Sequence, residues 1–301
     1  MTPATAPFVA APVGDLAIAT AAASAAAAHW HLAPPQLVRH GMNALFAAGD
    51  GVVLRACRPT VAADALVWLG EWLTARGVRV PRAERAQAFE WHGVSVVAQA
   101  REHPVGTIDW EAVGAMVAEL HATPPAAIAE VSARFPTPPC SAFPWWHFDA
   151  VLADVGGDLD ADARRGIERA VSRCDWGTWL ASPVLCHGDV HPGNVIPTLA
   201  GPVLIDWDLL CLGPPAWDHA ALMTWTDRWG GEPNLYERFA AGYGRSMRGD
   251  EVAEAIAELR LVAATLMRVR AGRTDRAAAA EAERRLRYWR GDPDAPVWRA
   301  A

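Results

Sequence analysis

A short polar segment, 187–194, carries the side chains of this sequence that are best suited to chemistry. Asp189 follows the apolar run 184–186, and a carboxylate there can orient a substrate hydroxyl and accept its proton. Asn194 comes five positions later, and Asp206 follows a second apolar run. Amide and carboxylate oxygens suit Mg²⁺, which is usually held by one or two carboxylates together with substrate phosphates. The set predicts phosphoryl transfer, in which an enzyme mainly positions groups and neutralises charge.

The spacing between these side chains predicts that they meet in space. A turn at 200–201 separates two short apolar runs, which favours a hairpin that brings Asn194 close to Asp206. Gly188 and Gly193 give the loop a backbone freedom that other residues lack. An isolated Asp-x-x-x-x-Asn is usually a turn, but two linked motifs in this order favour a site.

These residues carry a family resemblance. The run His-Gly-Asp-Val-His-Pro-Gly-Asn at 187–194, followed by Ile-Asp-Trp-Asp at 205–208, resembles the aminoglycoside phosphotransferase family, relatives of the protein kinases. The resemblance implies that Asp189 is the catalytic base. It also implies that Asn194 and Asp206 bind magnesium.

The same resemblance assigns supporting residues. His187 would stabilise the loop without taking part in the chemistry, and Asp208 would assist through a second metal or through loop contacts. The segment 213–218 is similar to the family's Gly-Asp-Pro-x-x-Asp, with Pro214 where the family often has Asp. Its last residue, Asp218, would hold the catalytic loop from the start of a following helix.

The nucleotide side of the site is expected in the N-terminal part of the chain. The segment 41–46, which includes Asn43, resembles the family's short glycine-containing loop over the phosphates, and Arg55 resembles its phosphate-binding basic residue. The chain has no lysine, since all 27 basic residues are arginine, so this role falls to arginine or to no residue. Backbone groups of Gln99 and Ala100 are the candidate hinge that would bind adenine.

The usual partner of the strand-borne basic residue is harder to place. Kinases carry a glutamate on the helix that follows the strand, and this sequence predicts that helix over about 61–76. The favoured register puts an apolar residue near Leu66 at the glutamate position. Asp64 and Glu71 share a helix face and are both open as substitutes.

The layout implies an α+β, two-lobed protein-kinase-like fold. A small β-rich nucleotide-covering lobe would span 1–100, and a larger helical catalytic and substrate-binding lobe 101–301. Hairpins are predicted over 36–57 and 87–100, a proline-rich loop over 124–144 and continuous helices over 216–229 and 250–270.

Composition narrows the class of protein. A formal net charge of −7 argues against a nucleic-acid binder. The sequence contains no run of eighteen apolar residues, so we do not expect a membrane span. The first arginine is Arg39, so the apolar N-terminus lacks the basic start of a secretion signal, and five scattered cysteines suit a reducing compartment. We therefore expect a cytoplasmic protein.

The sequence predicts an ATP- and Mg²⁺-dependent phosphotransferase acting on a hydroxyl of a small molecule: an aminoglycoside-like antibiotic, a sugar or an amino alcohol. Two alternatives stay open: a catalytically inactive nucleotide-binding relative, and a metal-dependent hydrolase using His187, Asp189 and His191. Asp227 and Glu232 lie where family members bind substrate and are candidates to recognise amines, although such acids are usually solvated surface.

Overall fold

An antiparallel five-stranded sheet forms the N-terminal lobe in the computed structural model of the protein, which describes residues 6–299. The strands are β1 (Gln36–His40), β2 (Ala44–Ala47), β3 (Val52–Cys57), β4 (Phe89–Trp91) and β5 (Val94–Ala100). Their order in the sheet is β1-β2-β3-β5-β4. Hydrogen bonds pair each strand with its neighbours in antiparallel register.

The two faces of this sheet have different partners because side chains alternate along a strand. On β3, Leu54 and Ala56 are fully buried in a cluster with helix α1 (Leu16–His29). The buried stripe of α1 consists only of alanines, so the helix can approach the sheet closely. Arg55 belongs to the opposite face, where it pairs across the strands with Leu45 of β2 and Val97 of β5.

Helix α2 (Asp64–Thr74) lies on that second face and closes the back of a cleft. Its Leu66 is buried and lines the cleft, as expected from the apolar register. Asp64 accepts a hydrogen bond from the backbone N–H of Ala88, and the structure gives Glu71 no ion pair within residues 6–299. Neither acid of α2 therefore contacts Arg55.

Helices form most of the C-terminal lobe. They are α3 (Trp110–His121), α4 (Pro125–Ser132), α5 (Phe148–Val155), α6 (Ala161–Val171), α7 (Trp176–Trp179), α8 (Ala216–Met223), α9 (Trp225–Trp229), α10 (Leu235–Tyr243), α11 (Glu251–Gly272) and α12 (Arg276–Trp289). The longest, α11, packs against α5, α6, α8 and α12.

Two short antiparallel pairs support the polar segments. Strand β6 (Val184–Cys186) pairs with β9 (Cys211–Gly213), and β7 (Val195–Ile196) pairs with β8 (Val203–Leu204). The loop that contains Asp189 begins where β6 ends and leads into β7. Both ends of this loop are therefore attached to paired strands.

Several elements differ from the sequence prediction. The stretch 124–144, predicted as a loop, contains α4, because Pro125 occupies the first turn of a helix, where a missing N–H costs nothing. The helix predicted over 216–229 is interrupted at Thr224, whose hydroxyl donates to the carbonyl of Ala221. Helix α5 was not predicted. The division into lobes at residue 100 stays a prediction, and its outer ends, 1–5 and 300–301, lie outside the described residues.

Candidate active site

Asp218, in the first turn of α8, holds the loop that follows β6. Its carboxylate accepts hydrogen bonds from the backbone N–H groups of His187 at 2.8 Å and Gly188 at 2.9 Å. The side chain of His121 on α3 lies 3.1 Å from the same carboxylate. Burial alone would raise the pKa of Asp218, but these donors hold it below its usual value. Asp218 therefore stays ionised and keeps the loop in one conformation.

The glycine at position 188 is required by the backbone. Gly188 has a φ of 93°, and a Cβ atom there would lie 2.0 Å from the carbonyl oxygen of Leu209. Any other residue would meet both conformational strain and a clash with backbone. The turn that places Asp189 therefore depends on Gly188.

The ring of His187 stabilises the loop from inside. Its Nε2 lies 3.1 Å from the carbonyl of Ile205, and its Nδ1 lies 3.2 Å from the N–H of Asp189. Burial lowers the pKa of His187, which favours the neutral ring that donates to one group and accepts from the other. The side chain joins the loop to the end of β8 and has no nitrogen left for a ligand.

Asp189 projects from this loop with about a third of its side chain exposed. One carboxylate oxygen accepts a hydrogen bond from Arg260 of α11 at 2.7 Å, and the other lies 3.2 Å from the amide nitrogen of Asn194. Nε2 of His191 is 3.4 Å from the second oxygen. Burial alone would raise the pKa of Asp189. The nearby His191 and Arg260 have the larger effect, so the pKa lies well below its ordinary value. Asp189 is therefore a carboxylate at neutral pH.

Asn194 and Asp206 meet through the β7–β8 hairpin, as expected from the turn between them. The backbone N–H of Ile205 donates to the carbonyl of Asn194 at 3.0 Å, so Asn194 lies opposite the residue that precedes Asp206. The amide nitrogen of Asn194 is used by Asp189, which leaves its oxygen as an available ligand.

The carboxylate of Asp206 is available to bind a cation. It has a φ of 63°, in the left-handed region that costs a non-glycine residue energy. Partial desolvation and the nearby Asp208 raise its pKa to about 6. No group within residues 6–299 donates a hydrogen bond to its carboxylate. A carboxylate and an amide oxygen, with excess negative charge, fit a hard cation such as Mg²⁺.

Arg55 finds its acidic partner in Asp208. One guanidinium nitrogen contacts both oxygens of the Asp208 carboxylate, and only 8% of either side chain is exposed. Asn43 donates to the same carboxylate at 2.9 Å. The structure thus joins Asn43 and Arg55, both predicted on the nucleotide side, to the residue two positions beyond Asp206.

The space between the sheet and the helical lobe is an apolar cleft of about 240 Å³. Arg55, Asn43 and Asp206 lie along its lining, together with Gln99 and Ala100 at the end of β5. The backbone N–H of Ala100 already donates to the carbonyl of Arg82 at 2.7 Å. This bond leaves the Ala100 amide unavailable to adenine, so that part of the predicted hinge needs correction.

Two residues of the site were not predicted from the sequence. Arg260 lies 71 positions from the carboxylate it contacts, among many arginines, so no local pattern marks it. His121, on α3, joins Asp218 to the hydroxyl of Tyr243, and no motif in the sequence marks it. Both depend on contacts between distant segments.

Several solved phosphotransferase structures have a similar fold. An aminoglycoside 2'-phosphotransferase-IIIa, solved with GDP, is 16% identical over 91% of this chain and 97% of that chain, with a TM-score of 0.66. A spectinomycin phosphotransferase, solved with ADP and spectinomycin, is 15% identical over 85% and 89%, with a TM-score of 0.61. A macrolide 2'-phosphotransferase from Brachybacterium faecium is 19% identical over 88% and 97%, with a TM-score of 0.53. These similarities confirm the predicted two-lobed, protein-kinase-like fold.

Sequence comparison supplies the family. No curated protein sequence matches the chain. Among the described residues, no helix combines the length and the apolar character needed to cross a bilayer. A model of the phosphotransferase enzyme family matches residues 43–256, which is most of the chain. The chain belongs to the phosphotransferase enzyme family.

Proposed function

We propose that the protein transfers the γ-phosphoryl group of ATP to a hydroxyl of a small molecule in an Mg²⁺-dependent reaction. The observation that carries this proposal is that two acids, connected through Asn194, each line a different cavity. Asp206 lines the cleft under the sheet, and Asp189 lines a second cavity in the helical lobe. Asn194 connects them, since its side chain bonds Asp189 and its backbone bonds the residue before Asp206.

The acceptor hydroxyl would be activated by Asp189. Its low pKa keeps it ionised, and Arg260 and Asn194 each hold one of its oxygens, which limits rotation of the carboxylate. A positioned base of this kind typically contributes about 10²- to 10⁴-fold to the rate. In this proposal, His187 and Asp218 support the geometry of the loop and do not contact the substrates.

The nucleotide would lie in the cleft under the sheet, with its phosphates towards Arg55. Asn194 and Asp206 would hold Mg²⁺, which when bound neutralises charge on the phosphates. Asp208 is already engaged with Arg55 and Asn43, so we assign it to positioning the guanidinium rather than to a second metal. The ADP and GDP bound to the similar structures support a nucleotide as the donor.

The hydrolase alternative has less support. His187 has both ring nitrogens engaged with backbone groups of the loop and of Ile205. Within the described part of the chain, the His187, Asp189 and His191 side chains do not form a group with metal-binding spacing.

We also propose a cytoplasmic location. All five cysteines are free thiols, which supports a reducing compartment.

The test is ADP release from Mg-ATP across a panel of hydroxylated antibiotics, sugars and amino alcohols. The wild type is compared with Asp189→Ala and with Asp149→Ala, an exposed acid outside both cavities. We expect Asp189→Ala to lower turnover by about 10²-fold or more, with unchanged nucleotide binding, and Asp149→Ala to behave as wild type. Turnover that survives Asp189→Ala contradicts the proposed base. Nucleotide binding without turnover on the whole panel supports the inactive relative instead.

A further inference from the structure

The cavity beside Asp189 has a volume of about 460 Å³ and is enclosed mainly by α9 and α11. Its size suits a small organic molecule. Residues 260, 261, 264, 267, 268 and 271 of α11 line it, which is one continuous face of a helix. The cavity therefore extends along α11 from the Asp189 end, at Arg260, for about three turns.

One wall of the cavity is aromatic. The indole rings of Trp225 and Trp229 are stacked, with centroids 5.3 Å apart and planes 16° apart. The ring of His191 is also stacked on Trp225, at 5.3 Å and 13°. The guanidinium carbon of Arg285 lies 4.7 Å from the centroid of the Trp229 ring. Both tryptophans are only half-buried, so the wall presents mainly ring edges, which apolar groups of a ligand can contact next to Asp189.

The charge of the lining is positive. Three arginines, Arg260, Arg268 and Arg285, line the cavity together with a single carboxylate, Asp189. Asp189 is already paired with Arg260. A substrate amine would therefore find no unpaired carboxylate among the lining residues and would lie close to guanidinium groups.

Asp227 and Glu232, the candidate acids for binding an amine, do not line this cavity. Asp227 is exposed and does not line the cavity. Glu232 accepts a hydrogen bond from the indole of Trp110 at 2.6 Å and pairs with Arg238 at 2.7 Å. The expectation that these acids recognise amines therefore finds no support in the geometry.

Arg268 is the lining arginine with no protein partner in the described residues. Arg260 binds Asp189, and Arg285 binds Glu281 and the carbonyls of Ala264 and Arg299. Arg268 is half-buried and makes no hydrogen bond or ion pair within residues 6–299. A partly buried arginine without a protein partner is suited to bind a carboxylate, which matches the planar donors of the guanidinium.

We propose that the acceptor is a hydroxylated organic acid with an apolar body, and not a polycation such as an aminoglycoside. This inference rests on the proposed function, because it places the reacting hydroxyl at Asp189. The apolar body would contact the exposed edges of Trp225 and Trp229, and the acidic group would pair with Arg268. Arg260 and Arg268 lie two turns apart on α11, or about 12 Å along the axis. This spacing sets the approximate separation between the hydroxyl and the acidic group.

Matched probes test the charge preference directly. The probes are the para-hydroxymethyl derivatives of benzoate and of the longer biphenyl carboxylate, each with a benzylamine and a methyl ester of similar shape. Binding is measured by calorimetry with Mg²⁺ and a non-hydrolysable ATP analogue present. The proteins are the wild type, Arg268→Gln, Arg268→Glu and the control Arg276→Gln, which removes an exposed arginine outside the cavity.

We expect the wild type to bind an acid at least tenfold more tightly than the amine of the same shape. Loss of a charged hydrogen bond in Arg268→Gln should weaken acid binding about tenfold or more and leave the amine unchanged. Arg268→Glu should reverse the order, and Arg276→Gln should match the wild type. The proposal is overturned if amines bind as tightly as acids, if Arg268→Gln weakens both alike, or if no acid binds.

The outcome for the acceptor is separable from the outcome for the proposed function. The ATP analogue alone should raise the unfolding temperature of the wild type but not of Asp206→Ala, with no acceptor present. Nucleotide binding without a preference for acids contradicts only the acceptor class. Acid binding that depends on Arg268 without any nucleotide binding contradicts the phosphotransferase reaction and keeps the acid site.

Discussion

Arg55 on β3 and Asp208, just beyond the β7–β8 hairpin, form a buried ion pair that connects the two lobes. In the sequence, the helix after β3 carries an apolar residue where kinases have the partner glutamate. The structure shows that the partner instead comes from the second polar motif. Arg55 is therefore held by the same short segment that contains Asp206, the proposed metal ligand.

Removing one member of this pair should be costly. We expect Arg55→Met or Asp208→Leu alone to lower the free energy of unfolding by about 3–5 kcal/mol, because each leaves an uncompensated buried charge. The double variant Arg55→Met/Asp208→Leu should recover most of this loss but not nucleotide binding. Urea unfolding and calorimetry with an ATP analogue check the two parts. Single-variant losses that simply add in the double variant would contradict the coupling.

The contacts of Arg260 predict a change in the pKa of Asp189. Arg260→Gln removes a charged hydrogen bond from Asp189, so turnover should fall about tenfold or more. Because Arg260 helps to lower the pKa of Asp189, its loss should raise that pKa, which carbon-13 NMR of the carboxyl group follows directly. Arg270→Gln, on the same helix but paired with the exposed Asp154, is the control. An Asp189 pKa that does not rise in Arg260→Gln argues against the proposed role.

The short-range part of the site could be predicted from the sequence, and the long-range part could not. Asp189, Asn194 and Asp206 lie within eighteen positions, so loop and hairpin geometry brings them together. The contacts of Arg55 with Asp208 and of Arg260 with Asp189 span 153 and 71 positions. Such contacts depend on how α11 and the sheet pack, which no local pattern reports.

The fold shows the same division. The amphipathic patterns and turn signals predicted most strands and long helices, because they depend on neighbouring residues. Helix α4 was missed because Pro125 was interpreted as part of a loop although it begins a helix. The role of Arg55 at the phosphates stays a prediction, and its acidic partner was open until the structure showed Asp208.

A buried histidine predicts loss of stability in acid. His219 of α8 is fully buried against Tyr236, Phe239 and Tyr243, and burial together with the nearby His121 lowers its pKa to about 3. Between pH 6.5 and about 3 the unfolded chain binds a proton that the folded ring does not. The free energy of unfolding should therefore fall as the pH drops through this window, by at most about 1.4 kcal/mol per pH unit from this group.

His219→Gln measures that contribution. The variant should show a shallower decrease of stability between pH 6.5 and 4 than the wild type, in urea titrations at several pH values. His103→Gln, which removes an exposed histidine, should follow the wild-type slope. The remaining slope in His219→Gln should come partly from His187, whose pKa burial also lowers. Parallel curves for His219→Gln and the wild type would refute the assignment.

Helices α3 and α10 pack closely against each other. A Cβ atom at Gly242 would lie 1.8 Å from the carbonyl oxygen of Glu111, so the helices touch backbone to backbone. Gly242→Ala must push α10 away, and we expect the free energy of unfolding to fall by about 1–3 kcal/mol or more. Gly70→Ala in α2 is the control, since its nearest atom would be 3.7 Å away and alanine favours a helix by roughly 0.5–1 kcal/mol.

Moving α10 should also disturb the loop that contains His187, Gly188 and Asp189. Tyr243, next to Gly242, contacts His121, and His121 contacts Asp218, which holds the backbone of His187 and Gly188. Gly242→Ala should therefore lower turnover as well as stability, even at temperatures where the variant is fully folded. Gly70→Ala should be at least as stable as the wild type in urea unfolding, because alanine favours the helix there. Full turnover in folded Gly242→Ala would show that the loop is held by Asp218 independently of α10.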